Sequence, residues 1–131
     1  MRYIIDTHTF LWFNEGSDQL SKLSRKIIED QNNEIFVSIA SLWEISIKTA
    51  LKKLEISGSY ESVLDDLVQA NIEILPINFL HTVYQHKLPL YHKDPFDRII
   101  VSQALGEKLD LLSGDQILDS YFDEYPVKRI W

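Results

Sequence analysis

Four carboxylates stand at positions from which a folded sheet could gather them: Asp6, Glu44, Asp97 and Asp115. Asp6 follows an apolar run, Tyr3-Ile4-Ile5, and Asp115 follows another, Leu109 to Ser113, after Gly114. Glu44 and Asp97 fall early in two helical patterns, with Asp94 just ahead of Asp97. Acids brought together in this way repel: two unit charges about 4 Å apart cost roughly 1 kcal/mol in water and about 4 kcal/mol near a protein surface. Such a group calls for protons or a cation. Cysteine is absent, so the ligands on offer are oxygen and imidazole. Mg²⁺ takes octahedral oxygen coordination and commonly combines a few carboxylates with substrate phosphate, which makes phosphodiester hydrolysis the chemistry this donor set suits.

The elements that must position these acids are legible as alternating apolar runs and helical periodicity. Tyr3 to Ile5 reads as a buried strand and Thr7 to Asn14 as a short helix. Ser21 to Asp30 is expected to be helical, Glu34 to Val37 a second strand, and Ser38 the cap of a helix that carries apolar residues as far as Leu54. A helix over Ser59 to Ala70, a strand at Ile72 to Leu75 and a helix from Asn78 through His86 come next, then a loop from Leu88 to Lys93. Asp94-Pro95 has the grammar of a capped helix start with Pro at the first position, and that helix should run to about Glu107. Leu109 to Ser113 is the fourth strand, Asp115 opens a short helix, and Val127 to Ile130 is a last strand. Strands separated by helices imply parallel βαβ units, hence a three-layer α/β/α sandwich around a small, mainly parallel sheet, in a single domain spanning 1–131. In an open parallel sheet the strand carboxyl ends share one edge, so Asp6 and Asp115 should face one crevice lined by the helices of Glu44 and Asp97.

Each acid also has an ordinary structural use. Asp6 and Asp94 suit helix N-caps, Asp97 the acidic place of a capping box, and Asp115 a turn. Glu44 precedes Lys48 by four residues, the spacing of a surface ion pair. Arg98 and Lys93 flank the acidic loop beside His92, and any substrate backbone must meet such cations, although a salt bridge is open to Arg98 as well. His8 reads as a helix-start residue, and His81 and His86, five apart, as surface residues rather than a zinc pair. Trp12, Phe13, Trp43 and Phe96 read as core or interface aromatics.

Composition narrows the field. The chain has 131 residues, 45% of them hydrophobic, enough to bury a core without disulfide or metal staples. No apolar run reaches the length of a membrane helix, and no signal peptide is evident, so a cytoplasmic location is expected and no membrane partner. The net charge of −7 is unusual for a nucleic-acid binder and fits either ordinary solvation or a carboxylate cluster. A phosphatase of the haloacid dehalogenase type would need a second aspartate where His8 stands. Gly16, Gly58, Gly106 and Gly114 form no phosphate-cradling loop.

Four stretches, in order and over essentially the full length, resemble PIN domains and within them the VapC-type toxins. They are Ile4-Ile5-Asp6-Thr7-His8; Val37-Ser38 through Ser41-Leu42-Trp43-Glu44-Ile45; His92-Lys93-Asp94-Pro95-Phe96-Asp97-Arg98-Ile99-Ile100; and Leu111-Leu112-Ser113-Gly114-Asp115. The resemblance implies a metal-dependent endoribonuclease that hydrolyses RNA phosphodiester bonds, the toxin of a type II toxin–antitoxin pair. On that resemblance Asp6, Glu44, Asp97 and Asp115 hold Mg²⁺ or Mn²⁺ and serve catalysis, and Asp94, Thr7 and Ser113 support them; Arg98 and Lys93, by their place beside the acidic loop, are expected to meet the RNA. It also implies a cognate antitoxin and a homodimer. The alternative is a PIN-like module that binds or regulates without catalysis.

Overall fold

The computed structural model describes residues 1–131. Five strands form one parallel sheet: β1 (Arg2–Ile5), β2 (Glu34–Ser38), β3 (Ile72–Leu75), β4 (Asp110–Leu112) and β5 (Arg129–Ile130), in the order β3-β2-β1-β4-β5. Six α-helices connect and cover them: α1 (Thr7–Glu15), α2 (Lys22–Glu29), α3 (Ile39–Ala50), α4 (Val63–Gln69), α5 (Phe79–Lys87) and α6 (Pro95–Glu107). Tyr60–Ser62 and Gln116–Phe122 are 3-10 turns. The expected three-layer sandwich is present, and its sheet is wholly parallel. No helix is long and apolar enough to cross a membrane.

Strand alternation divides the core. Tyr3, Ile5, Ile35, Val37 and Leu112 point to one face, where Phe10, Leu11, Ile28, Leu42, Ile45, Val63 and Leu67 of α1 to α4 cover them. Ile4, Phe36 and Leu111 point the other way, against Ile100, Val101, Ala104 and Leu105 of α6 and Leu118, Tyr121 and Phe122 of the late 3-10 turn. Burial on both faces explains why the strands read as continuous apolar runs. Each fully buried Ile or Leu contributes about 1.5–3 kcal/mol.

Helix boundaries follow local chemistry. The Ser21 hydroxyl accepts from Ser24 N–H at 3.0 Å and starts α2. Gly16 closes α1 in the left-handed region at φ 66°, where its amide meets Phe13 and Trp12 carbonyls. Helix α3 stops at Ala50 rather than continuing to Leu54, because the chain turns through Lys52 at φ 56°. The helix expected from Ser59 begins as a 3-10 turn and becomes α-helical at Val63. The segment opened by Asp115 is likewise 3-10.

Candidate metal centre

The sheet changes direction of growth at β1, with β2 and β3 on one side and β4 and β5 on the other. The crevice outside the carboxyl ends of β1 and β4 is therefore the switch point at which open α/β sheets carry their sites. Asp6 leaves β1 there, its amide donating to Leu112 O at 3.3 Å, and Asp115 follows β4 across the same gap. Both line one open cleft together with His8, Trp12 and Trp131.

The ordinary and the chemical roles of these acids coexist, because capping takes one carboxylate oxygen and leaves the other. Asp6 Oδ1 accepts from Thr9 N at 2.9 Å, Asp94 Oδ1 from Phe96 N at 2.8 Å, and Asp115 Oδ1 from Ile117 N at 3.1 Å. Asp115 is held from behind as well, its amide donating to the buried Ser113 hydroxyl at 3.1 Å. Asp97 lies in the first turn of α6, which Asp94 caps and Pro95 begins.

Asp97 is the most perturbed of these acids. Burial, then the charges of Asp94 and Asp6, with a smaller push from Glu44, raise its pKa to about 7, while His92 acts in the opposite direction. One acid thus feels three others, drawn from the ends of β1, α3 and the loop before α6. Asp97, Asp115 and His92 come closest: one ligand atom from each lies within 4.8 Å of the others. His92 Nε2 is 3.0 Å from Asp115 Oδ2 and 3.4 Å from Asp97 Oδ2. All the anionic donors are oxygens, and burial has left one of them short of counter-charge. This set fits a hard divalent cation.

Glu44 is placed differently from the other acids. It is 3% exposed on α3, and both of its oxygens have partners: Thr7 Oγ1 donates to Oε1 at 2.7 Å, and Lys48 Nζ donates to Oε2 at 2.6 Å. Thr7 Oγ1 also lies 2.9 Å from Ser41 Oγ. The Glu44–Lys48 pair is therefore not a surface pair but one with a buried acid end. Its hydrogen bond to Glu44 is the main reason Lys48 stands above the usual lysine pKa.

Of the two cations expected to meet a substrate, Lys93 is exposed and Arg98 is not. Arg98 is 7% exposed, and its guanidinium donates to the carbonyls of Pro89 (2.8 Å), Leu88 (3.2 Å), Gln85 (3.3 Å) and His92 (3.4 Å) and to Tyr121 OH (3.1 Å). That corrects the expectation of a phosphate contact: Arg98 is buried, and both its Nη atoms are engaged in tying the 88–93 loop to α6. His81 is corrected too, being 1% exposed; its Nδ1 accepts from Asn78 N and its Nε2 lies 2.8 Å from Glu107 Oε1. His86 is exposed. Trp43 is 61% exposed and packs edge-on against Phe96, and Trp12 contacts His8 and Trp131.

Sequence position presents His92 as a neighbour of the basic residues within a matching stretch, and Lys48 as half of a surface pair, without a role at the site for either. The His-Lys-Asp-Pro spacing is the one signal that bore on His92, because it puts the ring within reach of the amide that opens α6.

No curated protein sequence matches the chain. Among solved structures, its fold is similar to a chain of VapBC2 from Rickettsia felis, described as bound to a DNA fragment from their promoter; the TM-score is 0.70 at 19% identity, covering 98% of each chain. FitAcB from Neisseria gonorrhoeae gives a TM-score of 0.61 at 18% identity over 100% of this chain and 97% of that one. A PilT N-terminus domain protein from the archaeon Sulfolobus solfataricus P2 gives 0.59 at 14% identity over 99% and 86%. At such identities the likeness is one of fold. The PIN domain family model, however, matches residues 3–123 directly, and the chain belongs to the PIN domain family.

Proposed function

We propose that this PIN domain is a divalent-metal-dependent endoribonuclease, the toxin of a type II toxin–antitoxin pair of the VapC kind. The observation that carries the reading is the approach of Asp97, from the first turn of α6, to Asp115 at the end of β4, with ligand atoms within 4.8 Å, where burial and the charges of Asp94, Asp6 and Glu44 push the Asp97 carboxyl up to about 7. A protein has little structural reason to keep such a group unless something neutralises it, and perturbed acids in a cleft are the usual mark of a functional site. Family membership and the resemblance of the four sequence stretches to VapC-type toxins supply the reaction class.

Asp6, Asp97 and Asp115 are the residues that would hold Mg²⁺ or Mn²⁺ directly, each with an oxygen not spent on a helix cap. Glu44, with both oxygens engaged, would act through water. When bound, the ion supplies Lewis acidity for attack of water on a phosphodiester. The rest falls to the chain. Thr7 and Lys48 fix the Glu44 carboxylate, Ser113 fixes the Asp115 amide, and Asp94 sets the start of α6 from which Asp97 projects. Lys93, exposed beside the acids, and Lys48, half-exposed at their edge, are the cations available to an RNA backbone. The same reading gives the chain a cognate antitoxin, a homodimeric state and a cytoplasmic place of action.

Cleavage of a mixed RNA pool in Mn²⁺ tests the enzyme reading. Wild-type protein should cleave, EDTA should stop it, and Asp97→Asn should lower the rate by about 100-fold or more, beyond the 10–100-fold typical of residues one step removed from a metal. Equal cleavage by the variant, or in EDTA, points to a contaminant or to a binding module. Growth arrest on expression, relieved by an adjacent small open reading frame, tests the toxin assignment separately.

A further inference from the structure

We propose that His92 is a positioning residue that holds the cation's place between Asp97 and Asp115 and gives it up, rather than becoming a ligand, when the ion binds. The inference rests on the divalent-ion reading above and concerns a side chain to which that reading gives no role.

The hydrogen bonds of the ring fix its tautomer. The backbone N–H of Asp94 can only donate, and it points at His92 Nδ1 at 3.1 Å. Nδ1 must therefore present its lone pair, and a neutral imidazole then carries its hydrogen on Nε2. Nε2 is the atom that faces Asp115 Oδ2 at 3.0 Å and Asp97 Oδ2 at 3.4 Å. An N–H bonded to the Asp115 carboxylate, with that of Asp97 beside it, is a donor and has no lone pair for a metal. Turning Nε2 into a ligand would need the opposite tautomer, which sets an Nδ1–H against the Asp94 N–H and breaks the bond that fixes the ring. Hard cations such as Mg²⁺ also prefer the neighbouring oxygens.

The backbone around this ring is tethered. His92 N donates to Tyr121 OH at 2.9 Å, and Arg98 Nη1 donates to His92 O at 3.4 Å and to Tyr121 OH at 3.1 Å. The main chain is thus pinned from α6 and from the late 3-10 turn, and the degree of freedom left is rotation of the side chain. In the metal-free protein the Nε2–H offsets part of the repulsion between Asp97 and Asp115 by occupying the place of the cation. Ion binding between the two carboxylates must break its hydrogen bond to Asp115 and displace it from Asp97.

Mn²⁺ titration followed by electron paramagnetic resonance tests this on wild-type protein, His92→Ala and His92→Gln. Removing the competitor should tighten Mn²⁺ binding by about tenfold, the scale on which a hydrogen bond to a charged group counts. Glutamine retains an N–H donor near the Nε2 position and should stay close to wild type. A long-range ¹H–¹⁵N spectrum of the wild-type protein needs no variant: it should show Nδ1 unprotonated without metal and still unprotonated with Mg²⁺. Unchanged or weaker Mn²⁺ binding by His92→Ala, or a protonated Nδ1, overturns the proposal while leaving the divalent-ion reading intact. If wild type and both variants alike bind no Mn²⁺, the divalent-ion reading falls and takes this inference with it.

Discussion

A carboxylate has two oxygens, and in this cleft the division of labour between them is what lets acids do two jobs. Asp6, Asp94 and Asp115 each give Oδ1 to a backbone amide that opens a helical segment. Asp97 carries the electrostatic consequence of their proximity. Its pKa of about 7 in the folded chain lies above the ordinary 3.8, so the folded state holds a proton that the unfolded state releases. The metal-free protein should therefore lose stability as pH rises from about 4 through about 7, and Asp97→Asn should flatten that loss; thermal midpoints in EDTA at pH 5 and pH 8 for both proteins check it. Glu44 offers a second test. Thr7→Val removes the donor to a buried Oε1 and should cost about 1–3 kcal/mol, measured by urea unfolding.

At the level of elements, α6 is the piece that joins core to site. Its first turn presents Asp97, its next residue Arg98 ties down the 88–93 loop, and its later turns pack on β1 and β4 through Ile100, Val101 and Ala104. Lysine cannot reproduce a planar fork that reaches four carbonyls and a phenol. Arg98→Lys should destabilise the protein by about 2–3 kcal/mol and open the 88–93 loop to protease, read by denaturant midpoint and by limited proteolysis. Gly106 near the end of α6 looks like a helix defect in the sequence, yet it is also where α5 comes close. A Cβ there would meet the His81 and Tyr84 rings at 3.4 Å, an ordinary contact. Gly106→Ala should accordingly be neutral or stabilise by up to about 1 kcal/mol, whereas Gly106→Leu should push α5 away and cost about 1–3 kcal/mol.

Taken as a whole, the molecule joins its stability to the occupancy of one cleft. The sheet order brings the ends of β1 and β4 side by side, and the acids that follow them resist that arrangement unless a cation is present. A ligand that binds only the folded state stabilises it by about 2.7 kcal/mol at 100 times its Kd. Saturating Mn²⁺ should raise the thermal midpoint by on the order of 10 °C for a chain of this size, and EDTA should reverse it. Asp97→Asn should lose most of that gain. An equal rise in the variant would place the ion elsewhere.

The order of strands and helices is legible in the residues alone, because runs such as Tyr3-Ile4-Ile5 and Leu111-Leu112 suit strands buried on both faces, and caps such as Ser38 and Asp94-Pro95 act within a few residues. The residues also imply that Asp6 and Asp115 share an edge, since parallel strands put their carboxyl ends together. How the acids and cations divide their partners follows instead from the packing of the folded chain. Arg98 turns inward to loop carbonyls, Glu44 is buried between Thr7 and Lys48, and His92 enters between Asp97 and Asp115. Local spacing says which side chains can reach one another along a helix; it does not say which partners arrive from other elements, as Thr7 does at Glu44, Tyr121 at Arg98 and Asp115 at His92, and those partners decide how each group is buried and bonded.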